Sequence, residues 1–339
     1  MSVAERLLRR TLELVDIPSE SCGEAAILDH VREGMSHAPL LLDTGSALLY
    51  GAREAAVVLA GHVDTVPAQG NRPGRLVDGA VHGLGASDMK GGVAVMLELA
   101  SERADLAYLF FAREELPVAE SALPAALDAS STLRDAELVV LLEPTSTALE
   151  VGCLGNISAR LRFSGTAAHS ARPWLGDNAI HRAVRGLQAL AEVEPRRIRM
   201  GEAEYVEVLS LVGIRGGVAR NVIPPEAVAD LNFRYGPDRT PADAEARLAE
   251  LVAGAGELEV ESNAPPAAAP IDNPHLERLR AAGAGPLRAK QAWTPVAEFA
   301  ARGIPAVNLG PGTPELAHRA DEHVTGEALA RCFVILSAT

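Results

Sequence analysis

Short apolar runs that each stop at a histidine or a carboxylate set the pattern of this chain. Ala55–Ala60 leads into His62 and Asp64, Leu106–Ala112 (LAYLFFA) ends in Arg113, Glu114 and Glu115, and Leu138–Leu142 (LVVLL) ends in Glu143. Apolar runs of this length, without alternation, predict strands buried on both faces, as in the parallel sheet of an α/β fold. Ligands gather outside the carboxyl ends of such strands. Three polar endings of this kind point to one site built along one sheet edge. A helical period surrounds them: 3–15, with Leu8, Leu12 and Val15 on one face; Glu24–Met35, with Ile27, Val31 and Met35 four apart; and Gly91–Ala100, directly after Asp88. Leu40–Leu42 and Ala47–Tyr50 predict strands about the turn Asp43-Thr44-Gly45, and Asn71–Gly79 a polar loop.

The pattern changes after Val151. Asn156–Ser164 (NISARLRFS) alternates, as do Glu204–Ile214 and Ala227–Tyr235, which predicts strands exposed on one face. Helices are expected at Asn178–Val193 and Pro241–Ala253 and a last strand at Glu257–Glu261, giving β-α-β-β-α-β, a ferredoxin-like unit inserted in the larger domain. Asn263–Pro270 (NAPPAAAP) is a stiff return linker. Helices near Pro274–Ala282 and Val296–Ala301, the strand Ala306–Leu309, a loop carrying His318 and a helix from about Gly326 complete the larger domain. The expected organisation is 1–154 and 265–339 as one domain and 155–264 as the other.

Length agrees with two domains, since 339 residues exceed the usual size of one core. A net charge of −14 argues against a nucleic-acid partner. Three scattered cysteines, Cys22, Cys153 and Cys332, suit a reducing cytoplasm better than a disulfide framework. The opening MSVAERLLRRTLELVD reads as a charged amphipathic helix rather than a signal peptide, and no apolar run is long enough to span a bilayer.

Imidazole and carboxylate are zinc ligands, and a carboxylate shared by two ions about 3.5–4 Å apart makes a pair able to activate water for hydrolysis. The set His62, Asp88, Glu115, Glu143 and His318 supplies one shared carboxylate plus one histidine and one glutamate per ion. Glu114 is then placed to act as general base, and Asp64 to orient the His62 ring. Singly, each has an ordinary reading: Asp88 as a helix N-cap, Glu143 before Pro144 as a strand terminus, Glu114 and Glu115 as a solvated face, and His318 as a loop residue. Their joint placement favours the metal reading.

GHVDTVP, GLGASDMKGG, the Glu-Glu pair after an apolar strand and LLEPT together resemble the M20 family of zinc aminoacylases and peptidases. GTAAHSARPWLGDNAI, GGVARNVIP, NFRYGPD and GPGTPELAHRADEHV resemble the actinobacterial form of one branch, whose members hydrolyse N-succinyl-LL-2,6-diaminopimelate. The resemblance implies a mixed-sheet zinc-peptidase catalytic domain with an inserted ferredoxin-like α+β domain that serves as lid and dimerisation unit. It implies that His62 and Glu143 hold one zinc, Glu115 and His318 the other, and that Asp88 bridges them before a cis peptide to Met89. It gives Glu114 as the base and Asp64 as the residue that tunes His62. His169 would stabilise the oxyanion, and Asn221 and Arg234 would bind substrate carboxylates. Each of these three also has an ordinary reading, as a loop end, a turn residue and a surface cation respectively.

The implied activity is a deacylase of lysine biosynthesis with two Zn2+ per subunit, Co2+ being able to substitute. It would take a small N-acyl amino acid, without nucleic-acid or membrane partners, as a cytoplasmic homodimer joined through the lid. Acetylornithine or related N-acyl-amino-acid deacylation and dipeptide cleavage are the neighbouring alternatives, and a non-catalytic binding protein the alternative of another class. Three positions depart from the branch pattern. Pro295 stands where relatives carry aspartate, Arg220 stands where glycine is common, and His82 replaces an aromatic residue. His82 is not counted as a ligand, because the five-residue set is already complete.

Overall fold

The apolar runs form the centre of an eight-stranded sheet in a computed structural model that describes the whole chain, Met1–Thr339. Across this sheet the order is Leu40–Asp43, Ala47–Gly51, Ala107–Phe111, Val57–His62, Leu138–Leu141, Ala306–Asn308, Leu149–Val151 and Leu287–Ala289. Val57–His62 runs parallel to both Ala107–Phe111 and Leu138–Leu141, and Ala306–Asn308 runs parallel to Leu138–Leu141. Ala47–Gly51 pairs antiparallel with Ala107–Phe111, and Leu149–Val151 with Ala306–Asn308, so the sheet is mixed. The four parallel strands are buried at every residue, which explains their unbroken apolar sequence. Being parallel, they deliver their carboxyl ends to one edge.

Two compact units make up the chain. The first comprises Met1–Gly152, Ala269–Arg288 and Pro295–Thr339; the second comprises Cys153–Ala268 and the short segment Ala289–Thr294. In the first, helix Gly91–Leu99 is buried at all nine residues, so its sequence is apolar all round rather than striped. Helix Val3–Asp16 starts at a capping box in which Ser2 and Glu5 satisfy each other's backbone N–H. Its buried face is Leu7, Thr11, Leu14 and Val15, one step round from the expected one. Leu8 and Leu12 flank that face and are half-buried against the backbone near Gly326 and Gly74.

The expected loop Asn71–Gly79 contains a strand. Arg75–Val77 turns through Asp78 and Gly79, both at positive φ, into Ala80–His82, which also pairs with His323–Thr325. An Asp-Gly pair between apolar residues is the usual signal for this tight hairpin, and Val77-Asp78-Gly79-Ala80 carries it.

In the second unit, Gly155–Ser164, Ala203–Gly216, Glu226–Tyr235 and Glu257–Ala264 alternate with helices Ala179–Ala191 and Pro241–Leu251 as β-α-β-β-α-β. An extra edge strand, Arg196–Met200, pairs with the start of Ala203–Gly216. Its Arg-rich sequence buries only Ile198, so no alternation announces it. The helices pack on the sheet through Ala183, Leu187, Ala244 and Leu248 against Ile157, Leu161, Leu231 and Phe233. Asn178 caps the first helix, and Thr240 with Asp243 forms a capping box at the second.

Candidate active site

The edge where the parallel strands end gathers seven of the candidate side chains. His62 is the last residue of its strand and is buried. Its Nδ1 lies 3.1 Å from the main-chain carbonyl of Asp64, an arrangement that keeps the ring proton on Nδ1 and turns Nε2 inward. The Asp64 carboxylate is further from that nitrogen, at 3.5 Å. Asp64 instead binds the next strand end. Its Oδ1 accepts from the Glu114 amide at 3.0 Å, and its Oδ2 accepts from the Glu115 amide at 3.1 Å and the Ser21 hydroxyl at 2.7 Å. Burial would raise the Asp64 carboxyl, but the nearby His62 ring, the Glu114 amide and Ser21 together hold it at about 2. One fully buried aspartate thus orients both the first histidine and the Glu114-Glu115 pair.

Asp88 presents one carboxylate oxygen to each histidine: Oδ1 is 3.2 Å from His62 Nε2 and Oδ2 is 3.6 Å from His318 Nε2. His318, held at φ 62, also places Nε2 3.0 Å from Glu115 Oε1. The bond to Glu115 outweighs partial burial and, with the charge of Asp88, lifts the His318 ring to about 9. Glu143 is buried at the end of Leu138–Leu141. Burial raises the Glu114 carboxyl well above its ordinary range; His62 opposes this, and Glu143, Glu115 and Asp88 reinforce it. The peptide Asp88–Met89 is cis.

The segment that carries Asp88 is fastened by a residue that the motif reading did not single out. Glu322, only 2% exposed, accepts hydrogen bonds from the backbone N–H groups of Gly85, Ser87 and Asp88, each at 2.9 Å. Burial pushes its carboxyl up to about 7, the three amides pulling it down. The only sequence signal is an acidic residue four positions beyond His318, in a loop already rich in charge. Ser87 adds a second tie, its hydroxyl accepting from Thr313 N at 2.6 Å and donating to Thr313 O at 3.1 Å.

The other three candidates belong to the second unit. His169 is exposed in the two-residue strand Ala168–His169, which pairs with Val222–Ile223, and its Nδ1 accepts from Ala171 N. Asn221 adjoins it, its carbonyl accepting from Ser170 N at 2.9 Å. Arg234 is half-buried on Glu226–Tyr235 and donates from Nε to Asn232 Oδ1 at 2.9 Å. Asn232 in turn donates to Asn156 at 2.7 Å.

His62, Asp88 and Glu143 bring their ligand atoms within 4.8 Å of one another, and so do Asp88, Glu115 and His318. His62, Glu114 and Glu115 satisfy the same limit, so Glu114 lies within reach of both groups. These are nitrogen and oxygen donors of the kind zinc accepts, three per group, with Asp88 common to the first two groups named. Five carboxylates against two imidazoles also leave a local excess of negative charge that divalent cations would neutralise. The residues present therefore fit a two-cation centre.

The sequence profile of peptidase family M20/M25/M40 matches residues 58–339, and the chain belongs to this family. It is a metal-dependent hydrolase acting on amide bonds. A Mycobacterium tuberculosis protein that bears the name succinyl-diaminopimelate desuccinylase provisionally is 41% identical over 325 residues, covering 93% of this chain and 92% of its own. The Corynebacterium glutamicum protein named succinyl-diaminopimelate desuccinylase is 35% identical over 345 residues, covering 96% and 94%. Among solved structures, a tripeptidase from Staphylococcus aureus matches with a TM-score of 0.80 over 99% of this chain and 97% of its own, at 20% identity.

Proposed function

We propose that this enzyme hydrolyses N-succinyl-LL-2,6-diaminopimelate to succinate and LL-diaminopimelate. The observation that carries the reaction class is the Asp88 carboxylate, whose two oxygens face His62 and His318 with Glu114 within reach of both donor groups. The choice of substrate is supported by the two near-full-length relatives that bear the desuccinylase name.

In this reading His62 and Glu143 hold one zinc ion, Glu115 and His318 the other, and Asp88 both; cobalt is an acceptable substitute. Bound there, the ions supply Lewis-acid polarisation of the scissile carbonyl and acidify the attacking water. Glu114 takes the proton from that water as it attacks and returns it to the departing amine nitrogen. Its burial raises its affinity for a proton, which suits a group that must accept one and then pass it on. Asp64 fixes the main chain of Glu114 and so the position of the base. His169 donates to the developing oxyanion, and Asn221 and Arg234 take the substrate carboxylates; a guanidinium aligned by Asn232 suits that task.

A homodimer through the second unit is part of the same reading. Beyond its pairing with Arg196–Met200, the strand Ala203–Gly216 leaves an edge unpaired, with Val212 and Ile214 exposed along it. No disulfide joins Cys22, Cys153 and Cys332, in keeping with a cytoplasmic location. The deciding experiment is a panel of N-succinyl-diaminopimelate, N-acetylornithine and dipeptides assayed for released amine with added zinc. Turnover of the succinyl substrate above the others is expected. Turnover of N-acetylornithine with none of the succinyl compound overturns the choice.

A further inference from the structure

Glu322 is a buried carboxylate to which the reaction above gives no task. It is expensive to bury, and it is satisfied only by the segment that presents Asp88. Oε1 takes two of its hydrogen bonds, from Ser87 and Asp88, and Oε2 takes the third, from Gly85. The main chain of Glu322 joins in. Its carbonyl accepts from Gly83 N at 3.0 Å, and its own N–H donates to Arg319 O at 3.2 Å, in the turn that follows His318. One residue therefore staples residues 83–88 to residues 318–322. The first of these segments carries the carboxylate common to both donor groups, and the second carries a histidine of one of them.

We propose that Glu322 is a positioning residue that holds the Asp88 main chain so that the Asp88 side chain serves both cation sites at once. This rests on the two-cation reading given above. A carboxylate does this where a neutral amide would not, because three N–H donors converge on its two oxygens. A glutamine in its place keeps one oxygen for Ser87 and Asp88 but turns an NH2 group towards the Gly85 N–H. Because Asp88 is shared, release of the cradle weakens both sites together. Loss of His318 removes a donor from only one group.

The test uses the full chain, stripped of metal and titrated with zinc in the presence of a competing chelator, for wild type, Glu322→Gln, Glu322→Ala and His318→Ala. Far-UV circular dichroism of the metal-free proteins and steady-state kinetics on the succinyl substrate are measured in parallel. Glu322→Ala is expected to weaken both zinc affinities together, by about 10- to 100-fold as for other groups that orient metal ligands. Glu322→Gln is expected to fold without metal and to lose less. In both, kcat falls while KM stays near the wild-type value, since no substrate contact is touched. His318→Ala is expected to lose one ion and keep the other. Binding of both ions by Glu322→Ala with wild-type affinity overturns the proposal, as does weakening of only one. A metal-free Glu322→Gln that fails to fold also overturns it, by making Glu322 a residue of the fold. Wild-type protein that binds a single ion overturns the two-cation reading itself, and this inference with it.

Discussion

A carboxylate taken out of water holds its proton more tightly, and burial does this to Glu114, opposed by His62 and reinforced by Glu143, Glu115 and Asp88. Glu114→Gln keeps the shape but accepts no proton. Turnover is expected to fall by about 10²- to 10⁴-fold with bound metal retained, read by steady-state kinetics beside elemental analysis. His318 supplies the pH dependence. Without metal, its bond to Glu115 lifts it from the ordinary 6.5 to about 9, so the ring is protonated at neutral pH. That interaction stabilises the metal-free fold fully below pH 6.5 and fades as pH rises through 9. A cation must displace the same proton, so zinc affinity is expected to climb between pH 7 and 9 with proton release. Calorimetric titration in buffers of different ionisation heat reads that release. At this scale the sequence was informative where a polar residue interrupts an apolar run, as at His62 and Glu143. It was nearly silent at Glu322, because burial of a carboxylate among amides leaves no mark in a loop that already holds Glu315, Arg319 and Asp321.

Between residue and domain, the site depends on close approaches of main chain to main chain. A Cβ on Gly310 would sit 2.2 Å from Leu142 O and 2.4 Å from Glu143 O, and one on Gly312 would sit 2.1 Å from Ser87 O. The segment after Ala306–Asn308 is therefore pressed against the end of the strand that carries Glu143 and against the residue before Asp88. Gly310→Ala is expected to cost about 1–3 kcal/mol in chemical denaturation, as overpacking does, and to weaken zinc binding as well. Buried parallel strands were legible because both of their faces want apolar side chains. The face of helix Val3–Asp16 was not, because the polar Thr11 is buried while Leu8 and Leu12, expected on the buried face, lie on the flank. Arg196–Met200 escaped for a related reason: an edge strand held by backbone bonds and ion pairs needs no apolar stripe.

At the scale of the molecule, every residue assigned to metal lies in the first unit, while the second keeps a core of its own. Removal of metal is expected to speed amide hydrogen exchange in Val57–His62, Ala107–Phe111 and Leu138–Leu141 and to leave Gly155–Ser164 and Glu226–Tyr235 unchanged. At 100 times Kd, one bound ion adds about 2.7 kcal/mol to the stability of what it binds. The division of the chain carries a consequence for how such a protein can be recombined. Ala289–Thr294 returns to the second unit after the sequence has already left it, and there Gln291 bonds the main chain of Glu204 and Val206 while Trp293 bonds Pro265 O. A graft that swaps residues 153–268 as one cassette would leave that patch behind on the recipient, facing foreign backbone. Chimaeras with a relative should need two exchanged blocks, and lineages that traded this module in a single crossover would have had to rebuild the patch afterwards.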